Sequence, residues 1–375
     1  MSFSFTTLIG FIAMIVYLTY RLLRGKEASR LTRCVILTVA GASSTLYALL
    51  YAWRYSMPDG VVDYGTLYSM MALIFLVYAV IIYSTFDAVL WAGIRLKLLP
   101  QKAREWARNH RIKISLLSSI AIIVVLYFGY LHAYDIQIVR HAVDLRKAEG
   151  EGRTITAAMV SDLHIGANMH RHQVASVVDL INSHHPDVIF VVGDMIDHDL
   201  YIAKREKIEE ELLRLEAPLG TYAVLGNHEY RGWVEPKIRW LGETGMTLLR
   251  DSVVVVDSLF TLVGHDDYVN SYYRKSISEL TKQIDHTRPL IVLEHQPVNP
   301  NEMLMNGVDL ALYGHTHAGQ IWPHTWLVQA VSPIFYGRHK RGPTTHIVSS
   351  GIGTAGPPLR IGSQSELVLL DLQID

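Results

Sequence analysis

Apolar residues are spread unevenly through this chain. Up to His132 they gather in four runs, Phe3–Leu23, Cys34–Trp53, Leu67–Trp91 and Ile112–His132. Each is long enough to cross the hydrocarbon of a bilayer, which takes ~20 residues. Beyond that point they come in short bursts separated by polar loops. Such a distribution excludes a single soluble body. It predicts a four-helix transmembrane anchor over residues 1–133, a linker over 134–153 and a separate domain over 154–375. The first run has no basic residue ahead of it and no small-residue cleavage site, so it reads as a retained helix rather than a secretory signal. Asp87, near the end of the third run, is expected to be an interfacial carboxylate.

Lys and Arg set the expected orientation. Arg24, Lys26, Arg30 and Arg33 follow the first run, and Arg95, Lys97, Lys102, Arg104, Arg108 and Arg111 follow the third. The loop between the second and third runs holds Arg54 with Asp59 and Asp63. Both basic loops are therefore expected in the cytoplasm, with the N-terminus and everything after His132 on the other side. Arg140, Arg146 and Lys147 pull against this arrangement. The basic loops could also meet anionic lipid head groups, although ordinary topology signals account for them. The expected location is thus the cell membrane, multi-pass, with the domain after His132 extracytoplasmic. A net charge of -1 gives no global field suited to nucleic acid. Cys34 is the single cysteine, which excludes disulfides within the chain and cysteine-based metal sites.

From Thr154 onward the pattern becomes strand, loop, helix, strand. Strands are predicted at Ile155–Val160, Val188–Val192, Thr221–Leu225, Val253–Val256, Thr261–Val263, Leu290–Leu293, Val308–Leu312, His346–Ser349 and Leu367–Leu372. Val174, Val177, Val178 and Ile181 recur at helical spacing, and further helices are predicted at Lys204–Glu216, Glu235–Glu243 and Ile277–His286. Elements that alternate early and then turn to clustered strands suggest stacked sheets flanked by helices. Trp322–Arg341 reads as a long connection of aromatic, Pro, Gly and basic residues, placed to lie near a membrane.

Polar residues gather where the strands end. His315 and His317 stand at i and i+2 after an apolar run, as do Asp162 and His164, and on extended backbone such pairs share a face. Asp194 follows the second strand, Asn227 and His228 the third, and His295 another apolar run. Taken singly, each has an ordinary explanation. Asp at a strand end caps the next helix, Asn after Gly is a turn residue, and a lone His is an interior hydrogen-bonding group. The set as a whole is harder to dismiss, since α/β sites form beyond the carboxyl ends of strands and neutral imidazole is a common metal ligand. Read by chemistry alone, His228 would be one more ligand.

Asp162-Leu163-His164, Gly193-Asp194-Met195-Ile196-Asp197, Gly226-Asn227-His228-Glu229, His295 and Gly314-His315-Thr316-His317 resemble the motifs of the calcineurin-like metallophosphoesterase family, in order and approximate spacing. Ala318-Gly319-Gln320, Gly351-Ile352-Gly353 and Pro358-Leu359-Arg360 resemble its membrane-associated bacterial branch, where Gly commonly stands in place of Ala318. The resemblance implies a four-layer α-β-β-α sandwich and two divalent metal ions such as Mn, Fe or Zn. It would assign Asp162, His164 and His317 to one ion, Asn227, His295 and His315 to the other, and Asp194 to both. His228 would be a proton donor or transition-state stabiliser rather than a ligand, oriented by the Asp197 carboxylate. The implied reaction is hydrolysis of a phosphoester by metal-activated water. A phosphodiester or pyrophosphate on a lipid or envelope component suits the anchor. A tethered phosphomonoesterase or nucleotide phosphodiesterase is the alternative enzyme. Outside enzymes, the alternatives are a non-catalytic scaffold with a phosphoesterase fold, or a transporter built on the four helices.

Overall fold

The computed structural model of the chain describes residues 5–23, 34, 38–39, 41–43, 45–46, 48–50, 59–147 and 152–375. The described residues fall into two compact units, one ending at Phe128 and the other running from Gly129 to Asp375.

The first unit is helical. It contains Phe5–Leu23, Asp59–Arg95, the short Lys102–Asn109, and most of Arg111–Ala133. Tyr64–Arg95 and Arg111–Ala133 are long and apolar enough to cross a membrane, and Ile9–Arg21 is a shorter apolar stretch. The predicted run Cys34–Trp53 is only partly described, and among the described residues two candidate spans stand where the sequence suggests four. Phe11 packs with Leu73 between two of the helices. Asp87, expected at a membrane interface, is ion-paired to Arg21 at 2.8 Å.

The second unit holds two six-stranded sheets. Its strands are β1 (Ile136–Asp144), β2 (Arg153–Val160), β3 (Val188–Val192), β4 (Thr221–Val224), β5 (Thr247–Leu248), β6 (Ser252–Val256), β7 (Phe260–Gly264), β8 (Leu290–Leu293), β9 (Leu310–Tyr313), β10 (Gly337–Arg341), β11 (Thr344–Val348) and β12 (Ser365–Ile374). The first sheet has the order β1-β12-β2-β3-β4-β5 and the second β10-β11-β9-β8-β7-β6. Ala157, Phe190, Leu262, Leu293, Leu312 and Leu370 belong to one buried cluster that draws on both sheets and fills the space between them. On the outer face of the first sheet, Val174, Val178 and Ile181 of helix Arg171–Ser183 pack on Ala158, Ile189 and Val191. Ile277, Leu280 and Met303 cover the second sheet in the same way. Helix, sheet, sheet and helix therefore follow one another as layers. β3 reads as an unbroken apolar run because both of its faces are buried.

Several local expectations are corrected. Residues 136–144, placed in the linker by the sequence reading, form edge strand β1, which pairs in parallel with β12 from Ile136↔Ser365 to Asp144↔Gln373. Only Val143 of this strand is fully buried, so its polar residues hide the alternation. The single helix predicted over Lys204–Glu216 is two short ones, Tyr201–Arg205 and Ile208–Leu212, parted at Lys207 with φ 51°. The helix predicted over Ile277–His286 ends at Thr281. Trp322–Arg341 contains helix His324–Val331 and strand β10 rather than one long connection.

Candidate metal centre

Five loops meet at one end of the sandwich, each following a strand's carboxyl end: β2 and Asp162–His164, β3 and Asp194, β4 and Asn227–His228, β8 and His295, β9 and His315–His317. The reason they meet differs from the one read off the sequence. Asp162 (φ 56°), His164 (φ 50°), Asp194 (φ 52°), His315 (φ 70°) and His317 (φ 49°) are left-handed, not extended. Each such residue carries a steric cost, and costs of this kind collect at functional sites. The curl also parts the two histidines of β9, sending each to a different cluster.

Asp162, His164 and His317 form the first cluster. The Nε2 atoms of His164 and His317 are 3.0 Å apart, and His317 Nε2 is 3.2 Å from Asp162 Oδ1. Asp194, His295 and His315 form the second. His295 Nε2 is 3.2 Å from Asp194 Oδ2 and 3.2 Å from Asn227 Oδ1, and His315 Nδ1 is 2.8 Å from the same amide oxygen. Asp194 Oδ2 also lies 3.8 Å from His164 Nε2 and 3.8 Å from His228 Nε2, and these three form a further group that links the two clusters through His164 and Asp194.

Charge explains why such an arrangement needs a cation. Burial, then the neighbouring His164, holds the His317 imidazole well below its usual range, so its nitrogen keeps a lone pair. Burial and the nearby His295 likewise push His315 down to about 3. Burial opposes a charge on His295, but Asp194 beside it holds that imidazole well above the usual range. Burial also favours a proton on Asp194, and His295 overrides it, keeping the carboxyl well below the usual carboxylate range. Neutral His317 thus faces the first cluster and neutral His315 the second, where the proton on His295 holds the place beside the Asp194 carboxylate that a cation would take. The mixed nitrogen and oxygen donors fit borderline divalent ions. His295 Nδ1 donates to the Val192 carbonyl at 2.8 Å, which leaves Nε2 as the coordinating atom.

These loops fall within residues 155–319, which match the model of the calcineurin-like phosphoesterase family. The chain carries a calcineurin-like metallophosphoesterase domain. A metallophosphoesterase of Helicobacter pylori (strain ATCC 700392 / 26695) is 34% identical over 222 residues, covering 57% of this chain and 58% of that protein. One from Aquifex aeolicus is 29% identical over 252 residues, covering 66% of this chain and 95% of the other. A Bos taurus protein described as a transmembrane protein with metallophosphoesterase domain is 31% identical over 242 residues, covering 59% and 53%. The chain thus spans under two thirds of the Helicobacter relative.

The metallophosphoesterase domain corrects one orientation expected from the sequence. His228 Nδ1 is 2.6 Å from the main-chain carbonyl of Asp197 and 3.1 Å from its Oδ1. The carboxylate is also 3.5 Å from His164 Nδ1. The carbonyl is the nearer acceptor for His228, and the carboxylate is shared between two rings.

Two residues that the sequence shows only as members of motifs are structural supports of the domain. Glu229 is buried and accepts from the amides of Asp194 (3.0 Å), Gly226 (2.7 Å) and Ile196 (2.9 Å), stapling the β3 and β4 loops together. Arg360 is 1% exposed and donates to the carbonyls of His317 (2.9 Å), Ser350 (2.7 Å), Gly351 (3.0 Å) and Gly353 (2.7 Å). Its guanidinium holds the β9 loop against the loop that follows β11. A lone Arg among Gly and Pro carries no periodic signal that could reveal this. Arg360→Met keeps the bulk but leaves those carbonyls without their donor, which should cost about 3 kcal/mol or more. At roughly 2–4 °C per kcal/mol for a domain of this size, the midpoint of thermal unfolding should fall by about 6 °C or more.

Proposed function

We propose that this chain is a membrane-anchored phosphohydrolase that works with a pair of divalent ions. The observation that carries this reading is the position of Asp194 Oδ2, 3.2 Å from His295 Nε2 on one side and 3.8 Å from His164 Nε2 on the other. Asp162, His164 and His317 would hold one ion, Asn227, His295 and His315 the other, and Asp194 both. Such a pair would supply Lewis-acid charge stabilisation and a hydroxide-like nucleophile at neutral pH. The remaining work falls to the chain itself. His228, its Nδ1 committed to Asp197, turns Nε2 toward the Asp194 side, where it would hold a proton for the departing oxygen. Lys237, buried, donates to the His228 carbonyl at 2.8 Å and steadies the loop that presents the ring.

Membrane anchoring is supported by the exposed apolar side chains of helix Arg111–Ala133, among them Leu117 (68%) and Phe128 (62%), a pattern that water disfavours. Four spans with cytoplasmic basic loops and an extracytoplasmic domain are the topology proposed, and protease accessibility in intact cells tests the sidedness. A phosphodiester or pyrophosphate on a lipid or envelope component is the proposed substrate class, and a screen of lipid extracts with metal-loaded protein tests it.

The first measurement is hydrolysis of bis-p-nitrophenyl phosphate with added manganese. Turnover should vanish on chelation and return when manganese is restored. Hydrolysis indifferent to a chelator would exclude the metal-dependent reading. A properly folded, metal-loaded protein that hydrolysed no phosphoester would favour the scaffold.

A further inference from the structure

We propose that the helical unit carries a second phosphate site, one that seats the head group of an anionic phospholipid. Arg21, Arg104, Arg108 and Arg111 line a cavity of about 350 Å³. They come from separate places: Arg21 from the last turn of Phe5–Leu23, Arg104 and Arg108 from Lys102–Asn109, and Arg111 from the first residue of the helix that follows. The lining contains a single carboxylate, Asp87, and Arg21 already pairs with it at 2.8 Å. Arg111 is tied to the Arg21 carbonyl at 2.9 Å. Arg104 and Arg108 have no carboxylate partner among the described residues. Guanidinium groups surrounding a void repel one another until an anion enters, and their planar forks match phosphate oxygens.

Two features favour a lipid over a free phosphate. The cavity has an apolar side as well, made by Phe86, Leu90 and Ile114, which would suit the glycerol and upper acyl carbons. In addition, Trp91 and Trp106 are 61% and 56% exposed on the elements that frame it, and exposed Trp at the ends of apolar helices marks the head-group level. Helix Lys102–Asn109 buries none of its residues, as expected of an element resting on a membrane surface. This inference rests on the membrane reading above and is independent of the metal centre.

The test uses the full chain in nanodiscs of phosphatidylcholine, titrated with fluorescently labelled phosphatidylglycerol. Arg104→Gln with Arg108→Gln should weaken binding by on the order of tenfold or more. Both side chains are exposed, so the fold should survive, and hydrolysis of a soluble phosphodiester should be unchanged. Equal affinity in variant and wild type would overturn the site. Displacement of the labelled lipid from the wild type by millimolar inorganic pyrophosphate would overturn the lipid assignment in favour of a soluble phosphate. Flotation of the wild type with pure phosphatidylcholine vesicles checks the anchor separately. If the protein floats and the variant binds like wild type, only the head-group site fails. If it does not float, the membrane reading fails with it.

Discussion

Asp194→Asn should lower turnover by on the order of 1,000-fold or more. The substitution keeps the size of the side chain and removes the charge that faces both donor clusters, with Oδ2 at 3.2 Å from His295 and 3.8 Å from His164. Metal ions contribute several kcal/mol to stabilising a phosphoryl transition state, and each 1.36 kcal/mol is a factor of ten in rate. Metal content measured alongside turnover should fall below that of the wild type, because the amide is a poorer ligand for either ion. The backbone amide of His228 now donates to Asp194 Oδ1 at 2.8 Å, a bond the Asn oxygen can retain, so unfolding should not explain the loss. Turnover close to wild type would refute the shared-ligand role.

The second large effect is expected where no functional group is touched. A Cβ on Gly226 would lie 2.2 Å from Asp194 Oδ1 and 2.5 Å from the Asp194 amide nitrogen. One of these neighbours is backbone and cannot swing aside. Gly226→Ala should therefore push the β4 loop away from β3, cost about 1–3 kcal/mol in overpacking, and dismantle both clusters together. Bound metal after dialysis and turnover should both collapse. Gly242→Ala is the control: nothing lies within 4 Å of its Cβ, and it ends a helix, so stability should hold or rise slightly. A Gly226→Ala protein with full metal content would mean the loop tolerates more than its geometry allows.

The proposed ligand residues stood out in the sequence because their chemistry contrasts with what precedes them. Asp194 follows five buried apolar residues, and His315 follows four. Such runs locate strand ends reliably, and α/β topology sends strand ends to a common edge. The backbone at those ends was not legible. A left-handed Asp162 or His317 is fixed by what surrounds it, here Gly351, Gly314 and the Arg360 fork, none of which is close in sequence to Asp162. β1 escaped for a related reason: an edge strand with one face open to water keeps Gln137, Arg140 and His141, and resembles a linker. Glu229 was visible as part of a motif, yet its task of joining three amides of two loops depends on long-range placement. Helix length was overestimated at Lys207 because charged residues of high helical propensity conceal a break that tertiary packing imposes.

The place of β12 governs when the metal centre can come into being. This strand lies between β1 and β2, paired with both, yet it is synthesised after every one of the seven proposed donors. Until Ser365–Ile374 emerges, β2 has an open edge and the Asp162 loop lacks the neighbouring strand that braces it. Contacts so distant along the chain form slowly. Loading with cations is therefore expected only once β12 is in place, and a chain truncated before Ser365 should retain less metal than the full chain.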